Sequence, residues 1–207
     1  NKINHAIIKN GVAGIQIGYP SDFQVPDLEL TNSMILNHSF AGIYAFGAYL
    51  TCYNTVIANC AGAALALLRG GSYRFWHCTV SNNGVIGSSR SGPSVVLSNI
   101  FYNPEYDEAS GKYIYVPRSG DLEEADFVNS ILYGNLVHEL QFINNQSDLF
   151  NYTFDHCLVK ASEDSINSSN QEHFADIILN KDAFFINDSD RYHLDYRLDT
   201  LSPAKDA

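Results

Sequence analysis

An eight-residue frame recurs along most of this chain: apolar, any, Asn/His/Ser, small, apolar, apolar, any, Asn. It starts at Ile3, Leu30, Cys52, Phe75, Val96, Phe127 and Phe154, so successive starts lie 27, 22, 23, 21, 31 and 27 residues apart. A self-similar period of roughly 20 to 30 residues marks a repeat architecture, in which each repeat buries its apolar face only against its neighbours. The frame dictates where strands start, where the chain turns and which side chains face inward.

The third position holds His5, Asn32, Asn54, His77, Ser98, Asn129 and His156. After glycine, Asn and His are among the residues that best tolerate the left-handed backbone region. A corner there lets the first position (Ile3, Leu30, Cys52, Phe75, Val96, Phe127, Phe154) and the sixth (Ile8, Ile35, Ile57, Val80, Phe101, Leu132, Val159) both point inward. The fourth position is mostly small, as an inward side chain beside a tight corner must be. A second apolar segment usually follows, at 14–17, 42–45, 64–67, 113–116 and 139–142. Three short strands per repeat, with no helix-length amphipathic run, predict an all-β chain in which each repeat is one coil of a parallel solenoid.

The frame, its Asn corner and the strand after it (Gly14-Ile15-Gln16-Ile17, Gly42-Ile43-Tyr44-Ala45) resemble the repeats of the pectate-lyase-like superfamily, over about residues 3 to 161. The resemblance implies a right-handed, single-stranded parallel β-helix of about seven coils over residues 1–161, with 162–207 as a C-terminal capping segment of the same domain. A leucine-rich repeat fits less well, because the period is irregular, leucine does not dominate and no helical half-repeat is visible. The tail, with Asp190-Arg191-Tyr192-His193-Leu194 and Ser202-Pro203-Ala204-Lys205-Asp206-Ala207, resembles the closing segment of bacterial cell-surface β-helix proteins, although Lys205 stands where an apolar residue is usual. That implies a secreted or surface-anchored bacterial protein, extracellular or periplasmic. The chain opens inside a coil at Asn1-Lys2-Ile3, which predicts further coils or domains of a longer chain.

Composition restricts the partners. The chain has 207 residues, enough for one sizeable core, and a net charge of −11 from 12 Lys+Arg and 23 Asp+Glu. That balance argues against nucleic acid, which needs clustered cations on phosphate. No segment approaches the roughly 20 apolar residues of a membrane-spanning helix. Of the four cysteines, Cys52, Cys78 and Cys157 occupy inward slots and read as small buried hydrophobes. His5, His77 and His156 share one slot but sit three coils apart, about 14 Å at a strand spacing of about 4.8 Å, too far to share an ion.

Enzymes of the resembling superfamily act on polysaccharide lying along one sheet. The lyases use carboxylate-held calcium and an Arg or Lys base, and the related hydrolases use clustered Asp. The outward residues of the second strand align as Gln16, Tyr44, Ala66, Tyr115 and Gln141, with no carboxylate or cation among them. Tyr44, Tyr106, Tyr115 and Gln141 are therefore the expected polysaccharide contacts. Two acidic loops, 103–111 and 117–126, supply Glu105, Asp107, Asp121 and Glu123 as candidate calcium ligands, with Glu108, Glu124 and Asp126 beside them. Arg90, expected to be exposed in the loop 87–93, joins Arg118 and Tyr115 as the catalytic candidates of a lyase. His138 with Glu139, and His173 with Glu172 and Asp176, are weaker acid/base pairs. The leading expectation is a protein that engages polysaccharide with no catalytic constellation in this segment. The alternatives are a lyase acting on a uronate-containing glycan (less readily a glycoside hydrolase) and a structural stalk or adhesin segment.

Overall fold

A computed structural model of the chain describes residues 1–19, 27–83, 90, 92–166, 171–190 and 193–205. Parts of the loops and tail singled out in the sequence, at 20–26, 84–89, 91, 167–170, 191–192 and 206–207, lie outside the described residues. The fold is all-β. One ten-stranded and one seven-stranded sheet contain only parallel pairings, and two small antiparallel hairpins accompany them.

The parallel strands form three ladders. The first runs through Lys2–Asn4, Asp27–Thr31, the second halves of Ala41–Tyr53 and Leu65–Trp76, Leu122–Val128, Thr153–Asp155 and Phe174–Ala175. The second, beyond the corner, runs from Ile7–Lys9 through Met34–Leu36, Val56–Ala58, Thr79–Asn82, Ile131–Gly134 and Leu158–Val159 to Ile178–Leu179. The third joins Ala13–Ile17, the first halves of the two long strands, Val95–Ser98 and Leu140–Ile143. The long strand Leu65–Trp76 passes from third ladder to first through Arg69, Gly70 and Gly71, all at positive φ. A Cβ on Gly70 would lie 2.3 Å from the Asp121 carbonyl, so glycine is required there.

The corners explain the frame. His5, Asn32, Asn54, His77, Asn129 and His156 all have φ between 48° and 54°. Neighbouring corner amides bond to each other, Asn54 Nδ2 to Asn32 Oδ1 at 2.8 Å and Asn32 Nδ2 to Asn4 Oδ1 at 3.0 Å. Five residues on, Asn59 Nδ2 donates to Asn37 Oδ1 at 2.9 Å. The small fourth position also has a polar task. Ser33 Oγ donates back to the Thr31 carbonyl at 2.7 Å and accepts the Ala6 N–H of the adjoining coil at 3.0 Å. Ser130 repeats this with Val128 and Cys78. These serine turns thus give partners to backbone groups on both sides of the corner. Inside, the first-position rings of Phe75, Phe127, Phe154 and Phe174 stack in one column, with centroids 4.8 to 5.1 Å apart and planes within 7°. All four cysteines are buried as free thiols.

Two readings of the frame change. Val96 does not begin a corner copy: Ser98 ends a third-ladder strand, and the chain then leaves as an antiparallel hairpin, Ile100–Asp107 with Lys112–Ser119. Phe101 lies against Phe46 outside the coils, not in the inward column, and Tyr115 belongs to the hairpin, its place in the third-ladder row being held by Val96. Conversely, Phe174-Ala175-Asp176 is a full corner with Asp176 at φ 48°, inside the stretch expected to be the capping segment. First-ladder starts are therefore 3, 30, 52, 75, 127, 154 and 174. His77 and His156 are then separated by Asn129 alone, two rungs rather than three.

The third correction concerns Arg90. It is buried, not exposed: its guanidinium bonds to the Asn82 carbonyl and pairs with the buried Glu139 carboxylate. Glu139 also accepts from Ser94 N (2.9 Å), Ser94 Oγ (2.7 Å) and Leu136 N (2.8 Å). Enough donors surround it to hold the charge inside, which is why this Arg is drawn in. After the corner at Asp176 the tail folds back along the outside of the second ladder. Its hairpin, Phe185–Asn187 with Asp195–Leu198, puts Phe185, Leu194, Tyr196 and Leu198 on Met34, Leu36, Val56, Ile131 and Leu158.

Candidate functional site

The outward side of the first ladder is left open. Register aligns three rows of side chains there: Asp27, Tyr49, Ser72, Glu124; then Lys2, Glu29, Thr51, Arg74, Asp126, Thr153; then Asn4, Thr31, Tyr53, Trp76, Val128, Asp155. Alternation along each strand puts Leu50, Cys52, Tyr73, Phe75, Ala125 and Phe127 in the core and these residues outside. Tyr49, Tyr53 and Trp76 are each about two-fifths exposed. Three large amphipathic rings on two adjoining strands, beside charged groups, form a flat and wettable surface.

At its centre Arg74 grips Glu124 with two bonds, Nε to Oε1 at 2.9 Å and Nη2 to Oε2 at 2.8 Å. Ser72 Oγ adds a third at 3.2 Å. Next to them Thr153 Oγ1 donates to Asp126 Oδ1 at 2.6 Å. The two carboxyls are perturbed in opposite senses. The Arg74 hydrogen bonds hold Glu124 below its ordinary value, while burial, reinforced by the neighbouring Glu124, raises Asp126.

A groove of about 390 Å³ adjoins this pair, lined by Glu123, Glu124, Asp126, Asn151, Tyr152, Thr153, Glu172 and His173. The His173 ring stacks on Tyr152 with centroids 4.1 Å apart, and its Nδ1 is 2.8 Å from the Tyr152 carbonyl. A carbonyl can only accept, so Nδ1 carries the proton and Nε2 is left toward Glu172, 3.8 Å away. The sequence had placed His173 and Glu172 in a cap; the extra corner at Asp176 brings them to the end of the first ladder.

The residues expected from sequence are dispersed. Glu105, Asp107, Tyr106, Tyr115 and Arg118 lie on the projecting hairpin, where Glu105 pairs with Arg118 at 2.7 Å and Asp107 accepts the Ala109 and Ser110 amides at 3.2 Å. Asp121 Oδ1 accepts the Leu149 amide at 2.9 Å, and Glu123 reaches Tyr49 Oη at 3.5 Å. Glu105, Asp107, Asp121 and Glu123 therefore do not gather round one point. Tyr44 and Gln141 share the third-ladder row, with Tyr44 between Phe40 and Phe46. Among the described residues, Asp155, His156 and Asp176 form the one trio with ligand atoms within 4.8 Å of each other; Asp155 is half-buried and the other two are exposed at the corner edge.

Sequence reading missed Arg74, Glu124 and Asp126 as a unit because it tested the outward residues of the wrong ladder. The signal was available: the residue just before each frame start is Lys2, Glu29, Thr51, Arg74, Asp126 and Thr153, a polar column throughout. No described helix is long and apolar enough to cross a membrane. No family model matches the chain, and no curated protein or solved structure matches it.

Proposed function

We propose that this protein engages a polysaccharide laid across the outward side of the first ladder. The observation that carries the reading is the open face on which Tyr49, Tyr53 and Trp76 flank Arg74, Glu124 and Asp126 on consecutive parallel strands. Strands repeat at about 4.8 Å, so the surface offers ring faces and hydrogen-bonding groups at a regular interval along one axis, as a chain of sugars requires. The groove-lining charges are mostly carboxylates, which favours a neutral or amino-sugar polymer over a uronate one. The ladders, Asn corners and corner amide rows support the finer assignment to a right-handed β-helix of the pectate-lyase-like type, and with it an extracellular or cell-surface location.

A second reading rests on Glu124 and Asp126 standing on one strand, both lining the same groove. In a glycoside hydrolase one of the two carboxyls would protonate the leaving glycosidic oxygen as its bond to the anomeric carbon breaks, and the other would take a proton from the water that attacks that carbon. Affinity electrophoresis through gels cast with xylan, mannan, chitosan or polygalacturonate tests the binding, and assays of new reducing ends and of ultraviolet-absorbing unsaturated ends test the chemistry. We expect retention by a neutral or amino-sugar polymer, lost in Trp76→Ala. Folded protein retained by none of them would overturn the reading and leave a scaffold. Unsaturated ends from polygalacturonate, abolished by chelator, would put a calcium-dependent lyase in its place.

A further inference from the structure

The hairpin of Ile100–Asp107 and Lys112–Ser119 is a two-stranded ribbon with two unlike sides. Its inner side carries Phe101 against Phe46 of the third ladder, Asn103, and the Glu105–Arg118 ion pair. Register places Tyr102 opposite Pro117, Pro104 opposite Tyr115 and Tyr106 opposite Tyr113, so alternation gathers all six on the outer side. The four tyrosines are 55 to 70 % exposed. Tyr106 and Tyr113 meet edge to face with centroids 5.4 Å apart. No charged side chain lies among them, since Glu105, Asp107, Lys112 and Arg118 all alternate to the other side.

We propose that this tyrosine–proline side is a second glycan-binding platform, taking a short run of neutral sugar rings, apart from the open sheet. Three observations converge. An uncharged surface on a chain of net charge −11 suits a neutral ligand and repels polyanions. Tyrosine supplies a flat apolar face and a hydroxyl at low entropy cost, which matches rings that are apolar on their faces and hydroxylated at their edges. The platform is also narrow: six residues compare with the roughly 20 to 30 a side of a stable protein interface, which favours a thin chain over a second folded surface. Phe101 seats the opposite side on Phe46 and the Glu105–Arg118 pair ties the two strands together, so the rings are presented on a braced ribbon.

This inference rests on the glycan reading above but uses different residues, so the two can fail separately. Affinity electrophoresis on xylan, mannan and β-glucan would compare wild type with Y106A/Y115A, Y106F/Y115F and Trp76→Ala, with sedimentation velocity over a concentration range. We expect Y106A/Y115A to weaken retention on at least one neutral polymer by roughly ten-fold or more, as removal of a stacking anchor does. Y106F/Y115F, which keeps the rings, should retain most of it. Unchanged retention in Y106A/Y115A beside a loss in Trp76→Ala overturns the platform and leaves the sheet reading intact. No retention of wild type by any neutral polymer overturns the platform, and failure on chitosan as well overturns the sheet reading with it. Concentration-dependent association that Y106A/Y115A abolishes would make this side a contact between copies and overturn the glycan assignment.

Discussion

The outward sides of the first and second ladders hang from the same corner residues and run over the same rungs, yet one is covered and the other is open. Beyond the corner, Met34, Val56, Ile131, Leu158 and Ile178 form a mainly apolar row, interrupted by Thr79, and the tail returns to cover it with Phe185, Tyr196 and Leu198, leaving Ile7 at the row's start exposed. Before the corner, Arg74, Glu124, Asp126, Tyr53 and Trp76 are left facing solvent. A parallel ladder satisfies its backbone either way, so outward chemistry alone decides what each side becomes. An apolar row gains by recruiting its own chain as cover. The charged and aromatic row gains nothing comparable for stability, which is why function is sought there.

The largest expected effect comes from breaking the cover. Tyr196 is buried between the tail and Leu36 and Ala58, so Tyr196→Ala should cost roughly 3 kcal/mol, read as a lower urea midpoint. Next comes the corner row that separates the two ladders. Asn54→Ala forces alanine into φ 48° and removes the bond to Asn32, an expected loss of about 2 kcal/mol. Asn54→Gly should lose less, because glycine accepts that backbone. Equal losses for the two variants would show that the left-handed conformation is not what the corner selects for.

On the open side the same truncation should matter little. Trp76→Ala is expected to shift stability by about 0.5 kcal/mol or less while weakening glycan retention. A loss as large as that of Tyr196→Ala would erase the contrast between the ladders. The subtlest prediction concerns protons. Carboxyl-carbon NMR titration should show Asp126 titrating above its ordinary 3.8 and Glu124 below its ordinary 4.5. Glu124 is lowered, so its contribution to stability is present above its ordinary value and fades as pH falls through the lowered one. Asp126 is raised, so its contribution is full below its ordinary value and is lost as pH rises through the raised one. In Arg74→Met the Glu124 midpoint should climb back. The half-exposed Arg74–Glu124 pair itself adds no more than about 1 kcal/mol.

The coils were legible wherever the corner demanded a residue that accepts positive φ. Asn and His at one fixed place, flanked by inward apolar positions, leave a pattern that periodicity can find. It misled at Val96, where Asn99 follows Ser98 for another reason. That amide is buried and bonds to Asn144 and Asn145 at 3.1 and 3.0 Å, holding the neck of the hairpin rather than turning a corner. It failed at Phe174 because Asp176 takes the corner and Ile177 fills the usually small place. The site was less legible than the fold. Glu124 and Asp126 looked like loop acids until the strand Leu122–Val128 set them beside Arg74, 50 and 52 residues earlier in the chain. The burial of Arg90 depended on Glu139, 49 residues later, which no local pattern reveals.

Hydrogen–deuterium exchange with and without an oligosaccharide from a retained polymer tests the central claim most directly. The account predicts new protection in Asp27–Thr31, 49–53, 72–76 and Leu122–Val128, with the covered second ladder and its tail unchanged. Protection concentrated on the second ladder or the tail, with the first ladder unaffected, would contradict it.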